Sequence, residues 1–155
     1  TKLRAGDTRF GSLELEIVDV GLLGEDGVPV VQIASGDSLH IEIVFSAPEP
    51  VPSPIFSVAI AREDRQVVCA VNTTAGALVL PTLHGQGRVV LHLWRLDLVG
   101  GKYYVNVGAH ERNWAYTYDY HSRVYPIIVA RTKGKEGMVL PPHEWELEYP
   151  ERMEA

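Results

Sequence analysis

Hydrophobic and polar residues alternate one for one along most of this chain. Leu13, Leu15 and Ile17 share one face of a segment, Ser12 to Val20, whose other face carries Glu14 and Glu16. Leu39, Ile41, Ile43 and Phe45 alternate with His40, Glu42 and Ser46. Phe56, Val58 and Ile60 alternate with Ser57, Ala59 and Ala61, and Val89, Leu91 and Leu93 with Val90, His92 and Trp94. Tyr103, Val105, Val107 and Ala109 alternate with Tyr104, Asn106, Gly108 and His110, and Tyr125, Ile127 and Val129 share a face of a segment over 123–131. A period of two belongs to half-buried β-strands, and no 3.6-residue apolar stripe competes with it.

The punctuation fits. Glu25-Asp26-Gly27, Ser35-Gly36-Asp37 and Glu63-Asp64-Arg65 are turn signals, and Leu98 to Gly101 is a corner. Gln66 to Asn72 is expected to return as the hairpin partner of Phe56 to Ala61, and Pro29 to Ile33 to form a short edge strand. APEPVPSP at 47–54 has four prolines and is expected to be a rigid loop, because proline cannot donate to a central ladder. Pro126 marks an edge position or a bulge in the last strand. Seven or eight strands at turn spacings near 8–12 residues predict an all-β fold, an immunoglobulin-like antiparallel β-sandwich. The Cys…Trp…Cys hallmark of antibody domains is absent. Residues 1–11 read as a linker or arm and 12–155 as the sandwich. Gly134-Lys135-Glu136-Gly137 breaks the chain before 138–155, where Trp145, Leu147 and Tyr149 could form a further strand, exchanged between subunits.

Composition narrows the function. A chain of 155 residues makes one domain with a real core. A net charge of −6 argues against nucleic acid and against an anionic membrane surface. No apolar run reaches the length of a transmembrane helix, and no signal peptide opens the chain. Cys69 is the only cysteine, which fits a reducing compartment and leaves no multi-cysteine zinc site. The six histidines include no HExxH pair, and no P-loop or GxSxG elbow is present, so no metal, cofactor or catalytic residue is expected. Glu111 and Asp119 are the one attractive acid pair for glycoside hydrolysis, and solvated loop acids are the plainer reading of both.

The stretch from Gly100 to His121 stands out. It reads as a strand followed by a loop holding Trp114, Tyr116, Tyr118 and Tyr120, where a turn needs no bulky apolar groups. Aromatic rings offer flat apolar area with a polar tip at low entropic cost, which suits a sugar ring. With Phe56, Val67 and Tyr103 facing the core of one sheet, its outer face carries Ser57, Ala59 and Ala61 beside Tyr104, Asn106, Gly108 and His110. Small residues flanked by polar and aromatic ones describe a shallow groove, with Gly108 leaving room for a ring. Trp94 is expected in the core and Trp145 as a packing anchor for the tail.

The order of segments resembles the C-terminal carbohydrate-binding domain of the ATPase subunit of O-antigen ABC transporters, the Wzt-type domain. The resemblance rests on RFGSLELEIVDVGLL with its DGVPV turn, SGDSLHIEIVF, PIFSVAIAREDRQVVCAVNT, GQGRVVLHLWRLDLVGGKYYVNVGAH and GMVLPPHEWEL. It implies non-catalytic binding of the finished lipopolysaccharide O-antigen, which commits the polymer to export. It implies a cytoplasmic domain at the inner face of the inner membrane. The expected partners are an ATPase domain in the same polypeptide, a membrane subunit, and a second copy in a homodimer that exchanges its C-terminal strand. By position it places glycan at Ser57, Ala59, Tyr104, Asn106 and His110, with Trp114 and Tyr116 in the adjoining loop. Two alternatives stay open at this point: a structural or oligomerising sandwich whose aromatic loop meets protein, and a small glycoside hydrolase.

Overall fold

The structure, a computed structural model, describes residues 8–131 and 137–148. The first seven residues of the expected arm, residues 132–136 with most of the expected hinge, and residues 149–155 of the expected tail strand lie outside them. The described residues form nine strands and no helix: β1 (Thr8–Phe10), β2 (Glu16–Leu23), β3 (Gln32–Ile33), β4 (Leu39–Val51), β5 (Ile55–Arg62), β6 (Val67–Asn72), β7 (Leu83–Leu93), β8 (Gly101–His110) and β9 (Thr117–Val129). They make two sheets. The larger runs β1-β9-β8-β5-β6, with β3 beside β9; the smaller runs β2-β4-β7. Pairing is antiparallel except between β3 and β9. This is the expected sandwich.

The alternating residues meet between the sheets. Ile17, Leu39, Ile41 and Ile43 of the small sheet face Phe56, Val58, Ile60, Tyr103, Val105, Val107 and Ile127 of the large one, all buried. The Tyr103 hydroxyl avoids burial without a partner by donating to the Val99 carbonyl at 2.6 Å. Gly87 pairs with Phe45 across β4 and β7, and the Phe45 ring occupies the space its side chain would need: a Cβ there would come within 2.7 Å.

Several expectations fail for physical reasons. Thr8–Phe10 is a strand of the large sheet, not part of a loose arm. Leu13 is exposed at a φ of 66°, and the strand expected from Ser12 begins at Glu16. The proline-rich segment does not all loop out: β4 continues through Pro48 and Pro50 to Val51. Its pairing with β2 ends at Ser46, and its register with β7 breaks between Ala47 and Val51. The prolines therefore sit where few ladder donors are required. Val67 is exposed because the β5–β6 register shifts between Ile60 and Ala61, whereas Cys69 and Val71, paired with Ile60 and Val58 before the shift, still face the core. Pro126 lies inside β9, yet its nitrogen has no ladder duty. The N–H groups of Ile128 and Ala130 point to the β3 side, so the nitrogen of Pro126 points there too, between the stretches paired to β1 and β3.

Trp94 is 73% exposed and Trp145 is 90% exposed, so neither is the packing residue expected. Among the described residues, the tail is fastened at its start. Leu98 bridges to Val139, and the Leu140 N–H donates to the Asp97 carbonyl. Residues 141–148 take no regular structure.

Candidate functional site

The outer face of the large sheet is built by register. Phe10, Tyr120, Gly108, Ser57 and Asn72 are successive partners across β1, β9, β8, β5 and β6. The next row holds Asn106, Ala59 and Ala70, and the one beyond it Pro126, Tyr104, Ala61 and Val67. Ser57, Ala59, Tyr104, Asn106 and His110 thus share one face, as their alternation requires. The face is less open than a groove of small residues suggests. His110 and Asn106 are buried, and Tyr104, Ser57 and Ala59 are half-buried.

Gly108 is not an open slot. A Cβ there would lie 2.6 Å from the Tyr120 ring, 2.8 Å from His110 and 2.9 Å from Ser57, so those three side chains already close over it. His110 Nε2 and Ser57 Oγ share a 2.7 Å hydrogen bond, and His110 Nδ1 meets Thr117 Oγ1 at 3.1 Å. Burial holds the imidazole below its usual pKa, so it is neutral at pH 7. With two hydroxyls as partners, each of which can donate or accept, the ring is fixed in place.

The β8–β9 connection spans Glu111–Tyr116, shorter than the sequence suggests, because Tyr118 and Tyr120 already belong to β9. The loop closes on itself. The Glu111 N–H donates to the Tyr116 carbonyl and the Trp114 N–H to the Glu111 carbonyl, while Glu111 Oε1 accepts from the N–H groups of Asn113 and Ala115. Trp114 sits at a φ of 60°, a conformation uncommon outside glycine, and its ring lies over His110 with centroids 4.9 Å apart. It is half exposed. Tyr116 is equally exposed but packs edge-on against the buried Tyr118, apart from the His110–Trp114 stack. Burial is also the main reason the Tyr118 phenol is pushed up to about 12.

Asn106 carries a structural duty. Its Oδ1 accepts the N–H of Arg123 at 2.9 Å, where β9 bulges with Arg123 at a φ of 62°. The Arg123 guanidinium in turn covers the Tyr104 ring at 4.3 Å. Phe10 stacks on Tyr120 with centroids 5.4 Å apart. Sequence reasoning missed Phe10 and Arg123: one fell in the expected arm, and the other depends on a bulge that alternation does not show.

The acid pair dissolves. Asp119 is fully buried on the core side of β9. It accepts from Arg9 Nε at 3.0 Å and Arg9 Nη2 at 2.8 Å, from the Ile17 N–H at 2.7 Å, and lies 3.3 Å from His121 Nε2. Burial alone pushes its pKa up, but His121, Arg9 and the Ile17 N–H together hold it below the ordinary carboxylate value. A glycosidase acid needs the opposite shift, and Glu111 is engaged as the cap of its own loop. A cavity of about 410 Å³ opens elsewhere, between β6 and β7, and its apolar lining includes Ile43, Val58, Val71, Val89 and Leu91 but none of the expected glycan residues.

Comparison with known proteins gives a family match and matches among solved structures. The family model described as the Wzt C-terminal domain matches residues 6–140. A solved structure titled "Crystal structure of the C-terminal domain of wzt" superposes with a TM-score of 0.82 at 14% identity, covering 94% of this chain and 91% of that one. The structural match is a likeness of fold. No curated protein matches.

Proposed function

Because the chain belongs to the Wzt C-terminal domain family, we propose that it binds finished O-antigen polysaccharide on the outer face of its large sheet and commits it to export. Membership supports a role in an O-antigen ABC transporter. The observation that carries the finer reading is the half-exposed Trp114 ring, held over the neutral His110–Ser57–Thr117 chain at the end of a face that also presents Tyr104 and Ala59. Trp114 offers the apolar platform, and fixed hydroxyl and amide groups beside it match sugar hydroxyls. The domain does no chemistry in this reading. Its partners are the polymer, an ATPase domain of the same polypeptide and a membrane subunit, on the cytoplasmic side of the inner membrane.

A homodimer completes the proposal. Trp145 and Leu147 are 90% and 82% exposed in one chain, and a second copy that received the tail would cover them. Open, wet sites bind weakly one at a time, so two per dimer would add avidity.

The test is calorimetric titration of the full chain with O-polysaccharide from the organism that makes it. Trp114→Ala and Tyr104→Ala are expected to weaken binding several-fold. Wild-type affinity in both would remove the face from consideration. Asn106→Ala is a poor probe, because it also frees the Arg123 N–H.

A further inference from the structure

The small sheet carries a second cluster on its opposite, solvent-facing side. His40 of β4 and His92 of β7 are direct cross-strand partners. Their Nδ1 atoms lie 2.8 Å apart. Trp94, two residues beyond His92 on the same face, stacks on the His92 ring with centroids 5.0 Å apart and planes 15° apart. Its indole meets His40 edge-on at 5.3 Å. Trp94 therefore restrains both imidazoles from one side. The cluster lies outside the proposed glycan face, and nothing in the core requires histidine at either position.

We propose that His40 and His92 form a two-histidine site for a divalent transition-metal ion of the copper or zinc type. Imidazole is a favoured ligand for such ions. Two imidazole nitrogens each about 2.0–2.1 Å from one ion, and about 90° apart around it, lie about 2.9 Å from each other. The observed 2.8 Å separation is already close to that bite. Without metal, one Nδ1–H donates to the other Nδ1. To take an ion, both rings use the Nε2–H form and turn away from the line between them, so that both Nδ1 lone pairs aim at a point on the solvent side. Among the described residues no third His, Cys, Asp or Glu joins them as a metal group. Water fills the remaining positions, and the site is of moderate affinity and exchangeable.

The test titrates the full chain with Cu²⁺, Zn²⁺ and Mg²⁺, read by calorimetry and by tryptophan fluorescence. One Cu²⁺ per chain is expected, bound more tightly than Zn²⁺, with no binding of Mg²⁺. His40→Ala and His92→Ala should each weaken Cu²⁺ binding by about tenfold or more, since loss of even a supporting outer-shell partner costs roughly that much. His143→Ala, in the tail, should leave it unchanged. Trp94→Phe should keep the calorimetric binding while losing most of the Cu²⁺-induced quenching, because Trp94 is the indole in contact with the site. Circular dichroism on each variant checks that the sheet is intact. Stoichiometric Cu²⁺ binding that survives in both single-histidine variants would overturn the proposal, as would quenching that is undiminished in Trp94→Phe.

Discussion

Replacing Asp119 should cost more stability than any change on the proposed binding face. Asp119→Ala removes a fully buried carboxylate and leaves three kinds of donor behind. The Ile17 N–H is buried in the core and loses a 2.7 Å acceptor, worth about 1–3 kcal/mol. Arg9 keeps about a quarter of its side chain exposed, so water repays part of its loss, and its bond to Glu16 at 2.9 Å survives. Breaking a buried pair by removing one partner costs about 3–5 kcal/mol, and the solvent reached by Arg9 argues for the lower half of that range. Urea unfolding followed by tryptophan fluorescence would register this as a midpoint lower by about 1–4 M, at a slope of about 1–3 kcal/mol/M. The isosteric Asp119→Asn adds a sign test. The folded-state pKa of Asp119 is depressed, so its contribution is fully present above the unfolded carboxylate value and is lost as pH falls through the folded one. The gap between wild type and Asp119→Asn should therefore be widest near pH 7 and shrink below about pH 4. A midpoint within 0.3 M of wild type (roughly the scatter of such fits), or a gap that grows on acidification, would refute the argument.

Other outcomes follow from the same geometry. Trp114→Ala should weaken O-polysaccharide binding about fivefold in calorimetry, the equivalent of one aromatic contact, and leave the thermal midpoint nearly unchanged. Gly108→Ala should cost about 1–3 kcal/mol of stability by overpacking, read as a lower thermal midpoint, and weaken binding too, because its methyl meets Tyr120, His110 and Ser57 at under 3 Å. In an alkaline spectroscopic titration, Tyr118 should be among the last tyrosines to ionise, near pH 12, and Tyr118→Phe should remove that late step. Deleting residues 138–155 should convert a dimer to monomer or aggregate on size-exclusion chromatography; an equally stable dimer would rule out exchange of the tail.

The sandwich was legible because burial on one side of a strand imprints a period of two. Where each strand kept one face on the core, as in Leu39–Phe45, Phe56–Ile60 and Tyr103–Ala109, alternation identified both the strand and its inward residues. It misled where a local irregularity reset the parity. The shift between Ile60 and Ala61 turned Val67 outward, and the bulge around Arg123 separated the start of β9 from its end, so that Tyr118 and Tyr120 read as loop. Five residues of the candidate face were placed together correctly because they lie on two strands in unbroken register. What they touch was not legible. The Asn106–Arg123 bond depends on the bulge, the Ser57–His110 bond on how two strands align, and the Arg9–Asp119 pair on residues 110 positions apart.

The Glu111–Tyr116 loop has an evolutionary corollary. Its hydrogen bonds are made within itself, from Glu111 to Asn113, Trp114, Ala115 and Tyr116, and its ends are joined by the Glu111 N–H to Tyr116 carbonyl bond. A self-closed loop of this kind is a cassette. Its interior can change residues, or length, without altering the β8–β9 ladder beneath it. On the proposed reading of this face, a change of polymer specificity can therefore be confined to these six residues, and the sheet that presents them need not change.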